Sequence, residues 1–129
     1  MSKVLLDTHV LIWAIASPDR LSARARTVMA QDTAVLLVSA ASAWEIATKF
    51  RLGKLPQAEV LLDTWDDALN RLKADQLPID AAHARRAGLY AAAHRDPFDR
   101  LLAAQAEIVG VPLVTTDSAF IDFPISTIW

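Results

Sequence analysis

Four acidic residues lie where predicted strands end or predicted helices begin, and together they could hold a divalent metal ion. Asp7 follows the apolar run 4–6, and Asp117 follows a later apolar run. Glu45 lies in the first turns of one predicted helix, and Asp99 lies in the first turn of another. In open α/β sheets, ligands bind beyond the carboxyl ends of the strands. We therefore expect these four carboxylates to meet at one edge of a sheet.

Carboxylates crowded at a partly buried edge repel one another, and without compensation at least one would take up a proton. A divalent cation removes this conflict, and a site made only of carboxylate oxygens favours Mg²⁺ or Mn²⁺ over zinc. Mg²⁺ binds one or two carboxylates directly and keeps waters, so some of the acids would act through water. Such an ion polarises a phosphoryl oxygen, acidifies a water and neutralises a leaving oxygen, which is the chemistry of phosphodiester hydrolysis.

Three of the acids also have structural interpretations. Asp7 and Asp117 could cap the turns that follow them, because Asp is a favoured helix N-cap. Glu45 could pair with Lys49 one helical turn later. However, Glu45 stands between two large apolar residues, which favours a half-buried position.

The stretch "HRDPFDRLLAAQA" at 94–106 holds two acids with different predicted roles. Asp96 precedes Pro97 and predicts the N-cap of the following helix. Asp99 could then be the third residue of a capping-box-like arrangement. Its flank borders the apolar face of that helix, so Asp99 can serve the cap and still face the edge of the sheet.

The three histidines are weaker candidates for metal ligands. His9, His83 and His94 show no metal-ligand spacing. We interpret each of them as a surface residue or a hydrogen-bonded polar residue.

Strands and helices are predicted to alternate along the whole chain. Strands are predicted at 4–6, 34–38, 77–79, 111–116 and 125–129. Helices are predicted at 9–16, 21–31 with Ser22 as N-cap, 39 to about 52, 60–73, 81–93 and 97–109, with Gly53 and Gly110 ending two of them. This alternation predicts an α/β fold, a single domain over 1–129 with a mostly parallel sheet of four to five strands between helices.

Composition narrows the classes of function. With 129 residues the chain fits one domain, and its 53% apolar content indicates that part of the surface is covered by a partner. The absence of cysteine excludes disulfides and thiolate zinc sites and favours a reducing cytoplasm. The sequence shows neither a signal peptide nor an apolar run long enough for a membrane span. A net charge of -2 gives no global attraction to nucleic acid, so RNA binding would need a local basic patch. No phosphate-binding glycine motif of a kinase, NTPase or dinucleotide enzyme is present.

Four segments together carry a resemblance to a known family. They are "LLDTHVLIW" at 5–13, "VSAASAWEIATKFRLGKL" at 38–55, "HRDPFDRLLAAQA" at 94–106 and "LVTTDSAF" at 113–120. In this order and spacing the chain resembles, over essentially its whole length, the PIN-domain ribonucleases, and among them the VapC-like toxins of bacterial type II toxin–antitoxin systems. The family's acidic set falls on the same four residues, Asp7, Glu45, Asp99 and Asp117. Thr8 and Thr116 resemble hydroxyl positions that orient ligands or waters, and Asp96 belongs to the "DPFDR" pattern.

The resemblance implies a Mg²⁺- or Mn²⁺-dependent endoribonuclease that cuts cellular RNA in the cytoplasm. It also implies a homodimer and a small antitoxin whose tail occupies a groove of the toxin. The helices around 44–52 and 60–73 would carry much of the antitoxin contact, although core packing is the alternative for Leu61, Trp65 and Leu69. The candidate RNA phosphate contacts are Arg51, Lys54, Arg95 and Arg100.

Three other functions remain open from the residues. A receiver-type phosphoacceptor is also a small α/β protein with acids at the sheet edge, but it needs a lysine after a late strand, and the last lysine here is Lys73. An aspartyl phosphatase would need an acid two positions after Asp7, where His9 stands. A noncatalytic PIN-like binding module would be expected to have a broken acidic set, whereas here the set is intact.

Overall fold

The centre of the molecule is a parallel sheet. The computed structural model describes residues 2–129, and in that part of the chain the sheet has five strands. They are β1 (Ser2–Leu6), β2 (Ala34–Ser39), β3 (Ala74–Leu77), β4 (Leu113–Val114) and β5 (Thr127–Ile128). Their order is β3-β2-β1-β4-β5, and every neighbouring pair is parallel. The predicted α/β fold is confirmed, and Met1, the first residue of the predicted domain, lies outside the described residues.

The strand order also bears on one alternative function. Receiver-type proteins have the order 2-1-3-4-5. Here β2 and β4 flank β1, and β3 lies at the edge. This arrangement disfavours the receiver-type interpretation.

Two apolar cores form because the central strands are buried on both faces. Val4 and Leu6 of β1 pack into one core, whereas Leu5 packs into the other. In β2, Leu36 and Val38 likewise pack into the first core, whereas Leu37 packs into the second. Continuous apolar runs are typical of such doubly covered parallel strands.

Helices cover both faces of the sheet. Residues 2–129 contain seven α-helices, which are α1 (Thr8–Ala16), α2 (Ala23–Met29), α3 (Ala40–Arg51), α4 (Glu59–Asp63), α5 (Trp65–Leu72), α6 (Ala81–Leu89) and α7 (Pro97–Val109). Helices α1, α2, α4 and α5 contribute to the core beside Leu6, whereas α6 and α7 contribute to the core beside Leu5. Helix α3 reaches both, with Ile46 in the first core and Ala41 in the second.

Several predicted helix ends are confirmed by their caps. The hydroxyl of Ser22 accepts a hydrogen bond from the backbone of α2, and the carboxylate of Asp96 accepts two from the start of α7. Gly110 follows α7 in the left-handed conformation, at φ 76°. Glycine enters this region without the steric cost that a β-carbon imposes.

The helix predicted at 60–73 is wrong as one element, because the chain forms α4 and α5 instead. Thr64 lies between them with φ -120° and ψ 34°, and its hydroxyl donates a hydrogen bond to the Val60 carbonyl over 2.7 Å. Such back-bonding by threonine bends helices. The apolar stripe survives the break, since Leu61 and Leu69 are both buried.

Other boundaries are also shifted from the prediction. Lys73 ends α5 in the left-handed conformation, so β3 begins at Ala74 rather than at 77. Helix α6 ends at Leu89 rather than 93, because the backbone carbonyls beyond its end bond to a side chain instead of to the next helical turn. The ends of α2, β4 and β5 fall inside the predicted ranges, while α1 begins one residue earlier.

Candidate metal-binding active site

Asp7 is fixed at the point where the order of the sheet reverses. It directly follows β1, and its backbone N–H donates to the Val114 carbonyl of β4. Its Oδ1 accepts a hydrogen bond from the Thr8 N–H over 2.7 Å, and its Oδ2 accepts one from Thr115 Oγ1 over 2.7 Å. A crevice at such a reversal is the usual ligand-binding place in open parallel sheets. The predicted capping role is therefore real, but it uses only one of the two carboxylate oxygens.

Glu45 of α3 is more deeply buried than predicted, with only 3% of the residue exposed. Its Oε2 accepts a hydrogen bond from Lys49 Nζ over 2.6 Å, which confirms the predicted pair. Its Oε1 is also buried, and no group among the described residues donates to it. A buried carboxylate oxygen with no donor calls for a specific explanation, and a bound metal ion is one that suits this chemistry.

Asp99 lies in the first turn of α7 and faces the other acids. Its Oδ2 is 2.7 Å from His94 Nε2. Burial, together with the charges of Asp96, Asp7 and Glu45, raises the pKa of the Asp99 carboxyl to about 6 against the opposing effect of the hydrogen bond from His94. The capping of α7 is supplied by Asp96, so Asp99 is available to the site.

Asp7, Glu45 and Asp99, which we call the acidic pocket, share one electrostatic environment. Burial raises the pKa of the Asp7 carboxyl despite the hydrogen bonds from Thr115 and Thr8, and the charge of Glu45 adds to the increase. The three acids come from β1, α3 and α7, which are distant in sequence. The charges of Asp7 and Glu45 contribute to the raised pKa of Asp99, and that of Glu45 to the raised pKa of Asp7, so the three acids lie within electrostatic range of one another.

Lys49 supplies a positive charge inside this environment. Burial opposes its charge, but the hydrogen bond to Glu45 and the nearby carboxylates of Asp96 and Asp99 raise the pKa of its ammonium above the usual value. In the absence of a metal ion, Lys49 therefore offsets part of the repulsion among the acids.

Asp117 lies at the same strand edge but on its surface. Its Oδ1 accepts a hydrogen bond from the Ala119 N–H over 2.9 Å, so it caps the short 3₁₀ helix Ser118–Asp122 as the structural interpretation predicted. Its own N–H donates to Thr115 Oγ1 over 3.0 Å. Thr115 therefore connects the backbone of Asp117 to the carboxylate of Asp7, while the Asp117 side chain stands at the rim.

The chemistry of the pocket suits a hard divalent cation that keeps part of its water shell. In the part of the chain that the structure describes, no three Asp, Glu or His side chains are arranged as a ready set of ligands. Mg²⁺ needs only one or two carboxylates directly, with waters completing its octahedron. The free Oε1 of Glu45 and the raised pKa values of Asp7 and Asp99 are the features that such an ion would relieve. The residues present therefore fit Mg²⁺ or Mn²⁺.

The hydroxyl that donates to Asp7 belongs to Thr115, whereas the resemblance implies Thr116. Thr116 is exposed, whereas Thr115 is buried and donates to Asp7. The expectation for Thr116 came from the resemblance alone, and the structure gives the hydrogen bond to Asp7 to the preceding residue. Thr8 is buried as a site residue should be, and its Oγ1 lies 3.0 Å from Ser42 Oγ of α3.

The three histidines differ in their exposure and in their hydrogen bonds. His9 is exposed. His83 is buried and its Nδ1 accepts a hydrogen bond from the Asp80 N–H, as expected of a satisfied polar residue. His94 is hydrogen-bonded too, but its partner is Asp99, which makes it a positioning residue that the sequence did not single out.

The structure contradicts the prediction that Arg100 contacts an RNA phosphate. Its Nε and both terminal nitrogens donate to five backbone carbonyls at the end of α6 and in the following loop. A guanidinium has five N–H groups, so none remains for a phosphate. Arg51, Lys54 and Arg95 are exposed and remain candidates.

No helix within residues 2–129 has the length and apolar character needed to cross a bilayer.

Comparisons with known proteins bear on the family of this chain. The family model described as "PIN domain" matches residues 4–125. Ribonuclease VapC16 of Mycobacterium tuberculosis (strain ATCC 25618 / H37Rv) is 48% identical over 48 residues, which cover 37% of this chain and 34% of that protein. The match thus spans about a third of the curated relative.

Solved structures share the fold over nearly the full chain. VapBC2 from Rickettsia felis, bound to a DNA fragment from their promoter, matches with a TM-score of 0.67 at 14% identity, covering 98% of this chain and 97% of that one. FitAcB from Neisseria gonorrhoeae matches with a TM-score of 0.64 at 22% identity, covering 98% and 96%. Because the family model extends over almost the whole sequence, this chain belongs to the PIN domain family, as its motifs predict.

Proposed function

We propose that this protein is a Mg²⁺- or Mn²⁺-dependent endoribonuclease that acts in the cytoplasm as the toxin of a toxin–antitoxin pair. The observation that carries the proposal is the buried Oε1 of Glu45, which has no donor among the described residues and lies in a pocket with two carboxyls of raised pKa. Similarity to a protein named as a ribonuclease supports RNA as the substrate class.

The side chains around the acidic pocket hold its carboxylates in place. Thr115 Oγ1 and the Thr8 N–H fix the two oxygens of Asp7, and His94 Nε2 holds Asp99 Oδ2. Asp7, Glu45 and Asp99 would hold the metal ion directly or through waters, with Asp117 at the rim. When bound, the ion supplies polarisation of the scissile phosphoryl group and neutralisation of developing negative charge.

The proposal is tested with purified protein, cellular RNA and either Mg²⁺ or Mn²⁺. We expect cleavage that EDTA abolishes, together with growth arrest when the protein is expressed alone. Asp7→Asn should remove both effects while keeping the fold, because Asn is nearly isosteric but lacks the charge that binds the ion. A wild-type protein that cuts no RNA with either metal and does not slow growth would refute the function.

Exposed basic side chains at the end of α3 and in the loop before α7 are proposed to contact the RNA backbone. Arg51 and Lys54 lie at the end of α3 and just beyond it, and Arg95 follows His94. Replacing one of them by Ala should weaken binding to all RNA sequences similarly and reduce the salt dependence of binding by about one phosphate contact. An unchanged salt dependence would remove that residue from the interface.

An apolar groove is proposed to bind the antitoxin. It has a volume of about 470 Å³ and lies between α1, α4 and α5. Its apolar lining includes Ile12, Ile15, Leu55, Val60, Leu61 and Leu72. Val60 is 71% exposed, which is unusual for a large aliphatic residue beside an apolar groove. The groove uses the helices of the predicted 60–73 segment, and the similar structures named VapBC2 and FitAcB support a protein partner.

The groove is tested by Val60→Glu, with Ile108→Glu on α7 as the matched control. Coexpression of the small reading frame adjacent to this one should reverse growth arrest by the wild-type protein and by the control. Growth arrest by the Val60→Glu variant should persist, because the substitution places a charge in the apolar groove and opposes docking of the partner. Equal rescue of both variants would place the partner elsewhere.

We also propose that the protein forms a homodimer. Large apolar side chains remain exposed on several elements, among them Leu89 and Ile121. Sedimentation of the purified protein tests this assignment, and a monomer at micromolar concentration would contradict it.

A further inference from the structure

We propose that Trp44 is a stacking surface for one base of the RNA strand, next to the phosphate that is cut. This inference rests on the proposed ribonuclease function and adds a positioning residue to it. Trp44 belongs to α3 and immediately precedes Glu45. Although its neighbour in the chain is almost fully buried, Trp44 itself is 53% exposed.

A second aromatic residue holds Trp44 in position. The ring of Phe98 packs edge to face against it, with centroids 4.6 Å apart and planes at 77°. Phe98 immediately precedes Asp99 at the start of α7. The aromatic pair therefore joins the same two helices that supply two acids of the pocket. In the sequence, each aromatic residue immediately precedes one of these acids.

A shallow cavity of about 270 Å³ opens beside this pair. Its lining consists of Trp44, Ala84, Ala87, Gly88, Pro97, Arg100 and Leu101. The cavity is smaller than the pockets that hold drug-sized molecules, so it suits a single ring system.

The lining selects for the flat face of a base rather than for a phosphate. It contains one charged residue, Arg100, and all five N–H groups of its guanidinium are bound to backbone carbonyls. No donor of Arg100 is thus left for an anion. Unpaired bases of single-stranded RNA commonly stack on exposed aromatic side chains.

Stacking here would also serve the reaction. A base held on Trp44 fixes the strand next to Glu45 and Asp99, and accurate placement of the reacting group is a large part of enzymatic rate enhancement. The expected role of Trp44 is therefore to position the strand, while the acids perform the chemistry.

Binding is measured in an Asp7→Asn background, so that the RNA is not cut. The probe is a fluorescein-labelled single-stranded RNA that the wild-type protein cleaves, together with versions that each carry one abasic nucleotide around the cleavage site. We expect one abasic position to weaken binding by about 5- to 150-fold, the range of a single stacked base.

Trp44→Ala should weaken binding of the intact RNA by a similar factor and remove the penalty at that abasic position. Trp44→Phe should keep most of the affinity, because it retains an aromatic face. Ile108→Ala, an exposed apolar substitution near the other end of α7, should bind as the parent does.

Gly88 offers an independent variant that leaves Trp44 in place. A β-carbon added there meets nothing within 4 Å, so Gly88→Leu can fill the cavity without a clash at the backbone. This variant should weaken binding of the intact RNA more than binding of the RNA that lacks the stacked base.

Two results overturn the inference. One is a Trp44→Ala variant that binds intact RNA as tightly as the parent or keeps the same abasic penalty. The other is a Trp44→Ala variant that changes from dimer to monomer in sedimentation and loses affinity equally for every probe, which would make Trp44 a contact between two copies of the chain. Cleavage by wild type with no effect of Trp44 refutes only this inference, whereas absence of any cleavage refutes the proposed function as well.

Discussion

Two polar clusters lie close together in this molecule, and the pKa values of their acids are shifted in opposite directions. In the acidic pocket, burial raises the pKa values of Asp7 and Asp99. Between α6 and α7, the hydrogen bond from Arg86 lowers the pKa of Glu107 below its usual value. We call this second cluster, formed by Arg86, Tyr90, Arg100 and Glu107, the arginine corner.

The clusters differ in how completely their polar groups are paired. Arg86 donates two hydrogen bonds to Glu107, and the Tyr90 hydroxyl donates a third. Glu45, in contrast, keeps a buried oxygen with no donor among the described residues. A cluster that only supports the fold can satisfy every group, whereas a site that must bind something retains groups that the protein alone leaves unmet.

The largest expected difference between the clusters is in catalysis. Asp99→Asn should lower RNA cleavage by on the order of 100-fold or more, because loss of a metal-binding charge removes several kcal/mol of transition-state stabilisation. Glu107→Gln in the arginine corner should leave the cleavage rate nearly unchanged. Rates are measured with Mg²⁺ under single-turnover conditions, and near-normal cleavage by the Asp99 variant would contradict the assignment.

The next largest difference is in stability. Arg100→Ala should lower the free energy of unfolding by about 2–4 kcal/mol, because several partly buried carbonyls lose a charged donor at once. Arg95→Ala, an exposed change in the same loop, should stay within about 0.5 kcal/mol of wild type. Urea denaturation measures both, and equal stability of the two variants would show that the arginine corner does not hold the loop.

A smaller effect of opposite sign is expected in the acidic pocket. The folded protein holds a proton on Asp99 more tightly than the unfolded chain does, since the pKa rises from 3.8 to about 6. Stability of the metal-free protein should therefore fall as pH rises from about 4 to 6 and level off above 6. Asp99→Asn should stabilise the protein by about 1–3 kcal/mol at pH 7 and by little below pH 4.

This pH dependence is measured by urea denaturation in EDTA, with the exposed Asp32→Asn as control. A destabilised Asp99 variant at pH 7 would instead assign the carboxylate a mainly structural role.

The smallest effect is expected from Tyr90→Phe in the arginine corner. The change removes one hydrogen bond to Glu107 and should cost about 1 kcal/mol of stability. Cleavage should not change, because Tyr90 contacts none of the three acids. A loss of cleavage that exceeds the loss of folded protein would mean that the two clusters are coupled.

Sequence patterns predicted the elements that carry the acids better than the contacts between side chains. Asp7 and Glu45 follow strands whose uninterrupted apolar residues indicate burial on both faces, so the position of these two acids at the sheet edge is predictable. The role of Arg100 was not predictable, because its acceptors are carbonyls of a loop whose path depends on the packing of α6 against α7. Thr115 was not predicted either, because the resemblance points to the adjacent Thr116 and nothing in the sequence distinguishes which of the two hydroxyls reaches Asp7.

The central position of β1 has a consequence for the synthesis of the protein. This strand precedes the other four in the sequence, yet it pairs with β4, and Asp7 Oδ2 accepts a hydrogen bond from a residue 108 positions later. A nascent chain that has emerged only through α6 has neither Asp99 nor the hydroxyl that orients Asp7. The acidic pocket can therefore form only after α7 and β4 have been synthesised, and a shorter nascent chain carries Asp7 and Glu45 without the residues that complete the pocket.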